Sequence, residues 1–345
     1  MSCEGVRKNV SKSWSAIFRA AGVLIFVVSA STAPAAFITS GEVIPADPST
    51  WLPSTTARVG YTTTGALTVD GGNLISYTGY LGYNSGSTGT ATVAGAGSIW
   101  TNSHFLHVGR YGNGTLNVEA GGQVSSNVGF LGYESGSTGT ATVTGAGSKW
   151  TNSSALHVGG DGNGTLTVSN GGVVSAKTLY TSSLSNLLGD GTISINGIVL
   201  DADLIFDGAQ NGPNAFGTGG ALNLDLDGSG NLGAGYEGAG TLRIADGVAV
   251  ASSAGYLGYA PGSNGTATVT GTDSKWTSRY LYVGNYGSGT LNIEAGAQVS
   301  NTTGFLGVDY HCTGTVMITG TDSKWINSGD LYLGLDGTGT VNQTG

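Results

Sequence analysis

Short apolar segments, separated by Gly and polar residues, recur along this chain at a fixed interval. Leu81, Leu106, Leu131 and Leu156 fall 25 residues apart, and each begins a segment that runs into a Gly-rich stretch. Val93, Val118, Val143 and Val168 keep the same step, each closing a G-T-x-x-V run that opens at Gly89, Gly114, Gly139 or Gly164. A third apolar point follows at Trp100, Val124, Trp150 and Val174. Two such units make a longer repeat, for Gly79–Val128 and Gly129–Thr178 align without a gap over 50 residues. A fixed period of this size is the signature of a repeat architecture.

The pattern predicts an all-β chain. A short strand with alternating apolar and polar positions buries one face. Three such strands joined by Gly turns close one coil, and stacked coils pair each strand in parallel with its copy above. The predicted fold is a parallel β-helix, or β-solenoid, with three short strands per 25-residue coil, about 11–12 coils and a rise of ~4.8 Å per coil. Leu, Val and Trp positions would then form continuous internal files. A helical reading fails because 63 of 345 residues are Gly and no sustained i, i+3, i+4, i+7 apolar stripe is present. A β-propeller also repeats at ~40–50 residues, but its blades give no reason for an internal 25-residue step.

Residues 1–36 read as a secretory signal helix. Arg7, Lys8, Lys12 and Arg19 supply positive charge, Ala20–Ala30 is the apolar core, and Ala33-Pro34-Ala35 offers small cleavage residues. That apolar run is short for a membrane span. Cleavage after Ala35 removes four basic residues and Glu4, so the formal net charge of −9 becomes −12. An acidic, weakly charged mature chain argues against nucleic acid and anionic lipid as partners, and no membrane span is expected in it. Only Cys312 remains beyond the signal, which excludes a disulfide scaffold.

Residues 37–56 form a Pro-bearing lead-in expected to cap the first coil, since an open coil edge invites pairing with other chains. Residues 57–182 hold the first repeat block. Residues 183–235 break the rhythm: Gly191-Thr192-Ile193-Ser194-Ile195 reads as one more G-T-x-x-V segment, followed by Leu200–Phe206, a Gly-rich loop over Gly208–Gly220, and Ala221–Leu226. These are expected to be irregular coils with an external loop. Residues 236–345 hold a second block that stops in mid-coil, with Gln343 at the position of Val118. An uncapped last coil predicts a truncated or frayed end and end-to-end association of chains.

The unit G-[YF]-L-G-Y-x-S-G-S-T-G-T-A-T-V-T-G-A-G-S-K-W-T-N-S resembles the repeat associated with bacterial type V autotransporters and PEP-CTERM surface proteins. The spacer Leu226–Ser253 is similar to one common in the same proteins, and together the resemblance spans roughly residues 57–345. It implies an exported passenger domain presented at the cell surface, with a right-handed β-helix. Members of that group usually end in an outer-membrane β-barrel or a sorting helix, neither of which is legible before Gly345. The family motif carries no catalytic residues.

Candidate chemistry is sparse. Asp225-x-Asp227-x-Ser229-Gly230 imitates the start of a calcium loop, but position 12 is Tyr236, and Glu237 misses it by one. Asp201, Asp203 and Asp207 lie nearby in sequence and could add oxygen ligands. Turns favour Asp, Ser and Gly without any ion, so Asp225, Asp227 and Ser229 stand as weak calcium candidates. His107 and His157 share a repeat position and are expected to face outward two coils apart, ~9.6 Å, too far to share one ion. Gly132 is the expected residue between them, and Tyr282 and Tyr332 replace them in the second block, as at a tolerant surface position.

Trp100, Trp150, Trp276 and Trp325 admit a sugar-stacking strip, but alternation with Val124, Val174 and Val299 favours a buried file, with Lys149, Lys275 and Lys324 outside. No catalytic, cofactor or nucleic-acid site emerges. The expected role is a non-enzymatic surface scaffold in adhesion or extracellular matrix, whose polar faces meet glycans or proteins. The alternative is a polysaccharide lyase or hydrolase with its site in Leu200–Asp227, the only stretch dense enough in carboxylates.

Overall fold

The computed structural model describes residues 36–344. The expected signal helix therefore lies outside the described residues, apart from Ala36, which opens the first strand. The chain winds into stacked parallel coils, a β-solenoid of about 12 turns. The G-T-x-x-V runs form one face. In Thr88–Ala94, Gly89, Ala91 and Val93 point inward while the Thr side chains point out. Thr88–Ala94, Asn113–Glu119, Thr138–Thr144 and Asn163–Ser169 pair in parallel, stacking Val93, Val118, Val143 and Val168 at the predicted 25-residue step.

The other two faces keep a different count. Trp100 pairs with Val124, Val124 with Trp150, and Trp150 with Val174. On the third face Leu81 pairs with Val108, not with Leu106, and Val108 pairs with Leu131. Leu106 lies instead between Gly79 and Gly129. The expected single Leu file is thus two files, Leu81–Val108–Leu131–Val158 and Gly79–Leu106–Gly129–Leu156. The cause is a trade between corners. From Thr90, the chain reaches Trp100 in ten residues, Val108 in eight more and Thr115 in seven. From Thr115, it reaches Val124 in nine, Leu131 in seven and Thr140 in nine. Both coils close in 25 residues but divide them differently, and a register shift between Ser126 and Val128 marks the difference.

This division makes the core interlock. Trp100, Trp150 and Trp276 are buried, as alternation with valine predicts, and Lys149, Lys275 and Lys324 are exposed. Each Trp coil fills space that the preceding coil leaves open. A Cβ on Gly129 would come 2.6 Å from the Trp150 ring and 3.0 Å from a Leu156 methyl. A bulky pair in one coil therefore demands Gly in its neighbour, the large–small complementarity of a packed interior. Trp100 and Trp276 donate their indole N–H to Ser76 and Ser252 of the preceding coil, each at 3.1 Å, whereas the Trp150 indole N–H has no partner among the described residues.

At the start, Ala36–Gly41 runs antiparallel along Thr64–Asp70, and Val43–Ile44 antiparallel to Thr56–Val59, so the first coil's edge is covered. In the middle, the structure corrects one assignment. Thr192–Ile195 does not extend the G-T-x-x-V face; Ile193 stacks on Val174, in the tryptophan file. The G-T-x-x-V sheet ends at Leu187–Leu188, and a second one begins at Asp203–Phe206, where Leu204 pairs with Leu242. After Ile195 the chain continues through Ile198–Leu200 to Asp203–Phe206, which pairs with Ala239–Ile244 and not with Leu187–Leu188. The hairpin of Ala215–Phe216 and Gly220–Leu224 carries the expected loop. In the last described coil Leu331, Leu333 and Leu335 are exposed, and Gln343 pairs with Ile318.

Trp150→Ala is expected to cost about 3–5 kcal/mol and Gly129→Ala about 1–3 kcal/mol in denaturant unfolding. Because each change relieves the other, the double variant is expected to lose clearly less than the two losses combined. Additive losses would show that the two sites do not share one space.

Candidate functional site

The outward position next to Leu81 and its partners builds a stack that runs along the solenoid. In-register parallel pairing places Tyr80, His107, Phe130, His157 and Tyr180 one above another, and Tyr256, Tyr282, Phe305 and Tyr332 likewise. Strands sit ~4.8 Å apart, close to the spacing at which aromatic rings stack, so identical register gives a ladder without further design. Ring centroids along the first run are 5.0, 4.6, 4.9 and 4.4 Å apart, with the His157 and Tyr180 planes 2° from parallel. The second run is as regular, at 5.0, 4.7 and 5.0 Å.

The ladder corrects the reading of the histidines. Phe130, not Gly132, lies between His107 and His157. Neither is a free surface group: His107 is only 6% exposed, sandwiched between Tyr80 and Phe130. Burial pushes its pKa down to about 3, helped by the nearby charges of Arg110, His157 and His104. Burial alone brings His157 to about 3. Both imidazoles are therefore neutral rungs, interchangeable with Tyr282 and Tyr332 because a flat ring is what the position requires.

Between the two runs the ladder is broken, since its rungs there are Val199 and Gly233. Tyr236 folds into the gap. Its hydroxyl lies 2.9 Å from Nδ1 of His157, and its ring packs 5.6 Å from those of Tyr180 and Tyr259. Asp201 fixes this corner by accepting the backbone N–H groups of Tyr236, Glu237 and Gly238.

A cleft of about 340 Å³ opens at the break. Phe130, Tyr133, Glu134, His157 and Asp161 line it from the first block, and Tyr236, Glu237, Tyr259 and Pro261 from the second. Its origin lies in corner lengths. The first block turns here through Gly132–Ser137 and Gly159–Gly162, and the second through Gly235–Gly238 and Gly258–Ser263. Between them the chain spends only two residues, Asp201 and Ala202, at one corner, and the residues of these inner turns do not line the cleft. Half-buried Glu237 has its pKa raised to about 7, first by burial, then by the charges of Asp161 and Asp201, with Tyr236 hydrogen bonding in the opposite sense.

Apart from Asp201, which holds the Tyr236 corner, and Glu237 in the cleft, the acidic residues singled out from sequence fall elsewhere and apart. Asp225, Asp227 and Ser229 are exposed. Asp227 Oδ1 accepts from the Ser229 N–H at 2.8 Å and hydroxyl at 2.7 Å, a self-contained turn that holds its pKa down. Asp203 accepts from the Thr241 hydroxyl at 2.6 Å, and Asp207 accepts from the N–H groups of Ala209 and Gln210 and pairs with Arg243 at 3.4 Å. These carboxylates splay along the solenoid. Among the described residues no cluster of three or more His, Cys, Asp or Glu side chains is arranged to hold a metal ion. The cleft's own carboxylates come from sequence positions 134, 161 and 237, which no local spacing connects.

The ladder makes a prediction about pH. An imidazole whose native pKa lies below its unfolded value takes up protons preferentially in the unfolded chain. Its contribution is complete above about pH 6.5 and is lost as pH falls toward 3, at about 1.4 kcal/mol per pH unit. His107→Tyr, which installs the ring found at 282, is expected to flatten the slope of stability between pH 6 and pH 4 by that amount. Urea midpoints at both pH values measure it, and an unchanged slope would place His107 in water.

No family model, no curated protein and no solved structure matches this chain.

Proposed function

We propose that this chain is the surface-exposed passenger of an exported protein, acting as an adhesive or matrix scaffold and not as an enzyme. The observation that carries this reading is the repetition of the outer surface itself. Rows of Thr, Ser and Asn cover the G-T-x-x-V faces, and an aromatic ladder runs beside them, both renewed at each coil within the two repeat blocks. A surface that repeats every ~4.8 Å presents many equivalent weak contacts to a long repeating ligand, and such contacts gain strength through avidity. Glycans offer hydroxyls to Thr and Asn and C–H faces to aromatic rings. The secretory signal read at the N-terminus and the resemblance to autotransporter and PEP-CTERM repeats support presentation at the cell surface.

A second reading has one specific observation behind it. Glu237, protonated up to about pH 7, faces the carboxylate of Asp161 across an aromatic cleft. A carboxylic acid beside a carboxylate is the pairing that glycoside hydrolysis uses. This moves the enzymatic alternative away from Leu200–Asp227 and into the cleft.

Expression of the full chain with its own N-terminus in a Gram-negative host tests both. The expected product begins at Ala36, is found at the outer surface or in the medium, and sediments with insoluble polysaccharide without releasing reducing or unsaturated ends. Retention of Met1 in the cytoplasm would overturn the export reading, and released ends would establish the enzyme.

A further inference from the structure

The cleft where the ladder breaks differs chemically from the rest of the surface. Three carboxylates, Glu134, Asp161 and Glu237, line it together with five rings, Phe130, Tyr133, His157, Tyr236 and Tyr259. No Lys or Arg is among its lining residues. In earlier coils the cations sit with corner rings: Arg58 lies 5.3 Å from the centroid of Tyr61, and Arg110 5.0 Å from that of Tyr83. The cleft thus presents the acceptors and π-faces of a cation site with no cation of its own.

Its neighbours indicate the shape of the ligand. Tyr111, in the corner one coil before Tyr133, and Tyr286, in the corner one coil after Tyr259, are 40% and 51% exposed. An exposed ring therefore flanks the cleft on each side, along the direction in which coils stack. That is a track for an extended polymer whose units stack on aromatic faces, with one charged group dropping into the middle. A single lysine side chain would use the cleft and leave the flanking rings idle.

We propose that this cleft is a binding subsite for the ammonium group of a de-N-acetylated hexosamine unit within a linear glycan, with Glu237 and Asp161 as its counter-charges and Tyr133 and Tyr259 as its stacking walls. The proposal deepens the adhesive reading and rests on it for the glycan's biological role, but not for the chemistry of recognition. Glu237 faces Asp161 and Asp201, with the Tyr236 and Tyr259 hydroxyls beside it. In the free chain burial first, then the charges of Asp161 and Asp201, keep its proton on to about pH 7 against the opposing Tyr236 hydrogen bond. An ammonium ion brought alongside reverses that balance, so binding below pH 7 releases the Glu237 proton.

Calorimetry of the full chain at pH 6, in two buffers of different ionisation enthalpy, tests this directly. The probes are a glucosamine oligosaccharide, its fully N-acetylated counterpart, a uronate oligosaccharide and a lysine-rich peptide. The expected result is that the glucosamine oligomer binds best and releases close to one proton. Glu237→Gln abolishes that release and weakens binding by about tenfold or more. Asp161→Asn weakens it similarly, and Asp225→Asn, in an exposed turn outside the cleft lining, leaves it unchanged. The thermal midpoint of each variant verifies folding. Equal binding of the acetylated oligomer, equal or tighter binding of the peptide, wild-type affinity in both cleft variants, or no binding of the glucosamine oligomer would each overturn the proposal. Failure of export with proton-linked binding intact would overturn only the adhesive reading.

Discussion

Parallel backbone hydrogen bonding between successive coils is the constraint from which the rest follows. Each strand donates to and accepts from the coils on either side, so residues at matching positions are forced to lie one above another. Like side chains must then pack on like, or on a partner of complementary size. Inside, this yields the valine file of Val93 to Val168 and the alternation of Trp with Val. Outside, the same pairing turns Tyr80, His107, Phe130, His157 and Tyr180 into a stack whose spacing the backbone, not the rings, determines. Stability is built coil by coil, which suits a chain whose described residues hold one cysteine, Cys312, and one ion pair, Arg243–Asp207.

The G-T-x-x-V face was legible because its strands keep a constant step and a constant residue type. The tryptophan file was legible for the opposite reason, since a large and a small residue alternate at steps of 24 and 26. The leucines misled. Leu81 and Leu106 share a sequence spacing but not a place in the coil, because alternate coils redistribute their residues among the corners. Gly191–Ile195 misled similarly, for five residues of motif cannot report which of three faces they join when the preceding corner has changed length. The spacing of a repeat reports coil length, and register within the coil depends on corners that composition does not specify.

The ladder was hidden by its own tolerance. Tyr, His and Phe all serve as rungs, so no single letter repeats. The signal that would have exposed it is an aromatic or His one residue before the last apolar residue ahead of each corner glycine, as in Tyr80-Leu81-Gly82, His107-Val108-Gly109 and Phe130-Leu131-Gly132. The cleft was beyond reach of such patterns. Glu134, Asp161 and Glu237 line one cleft because the corner at Asp201–Ala202 between the two blocks is shortened, and nothing in the sequence around any one of them marks it. Chemical distinctiveness thus arises where the repeat fails, at the junction that interrupts both the threonine face and the ladder.

Disulfide trapping of alternative registers tests the central claim most directly. In a Cys3→Ser/Cys312→Ser background, the account predicts that Tyr80→Cys and His107→Cys cross-link rapidly under mild oxidation, since these residues oppose each other in adjacent strands. Tyr80→Cys with Phe105→Cys, the pair that a uniform 25-residue step would align, is predicted to remain reduced. Preferential cross-linking of the second pair would contradict the alternating register, and with it the ladder and the cleft built on it.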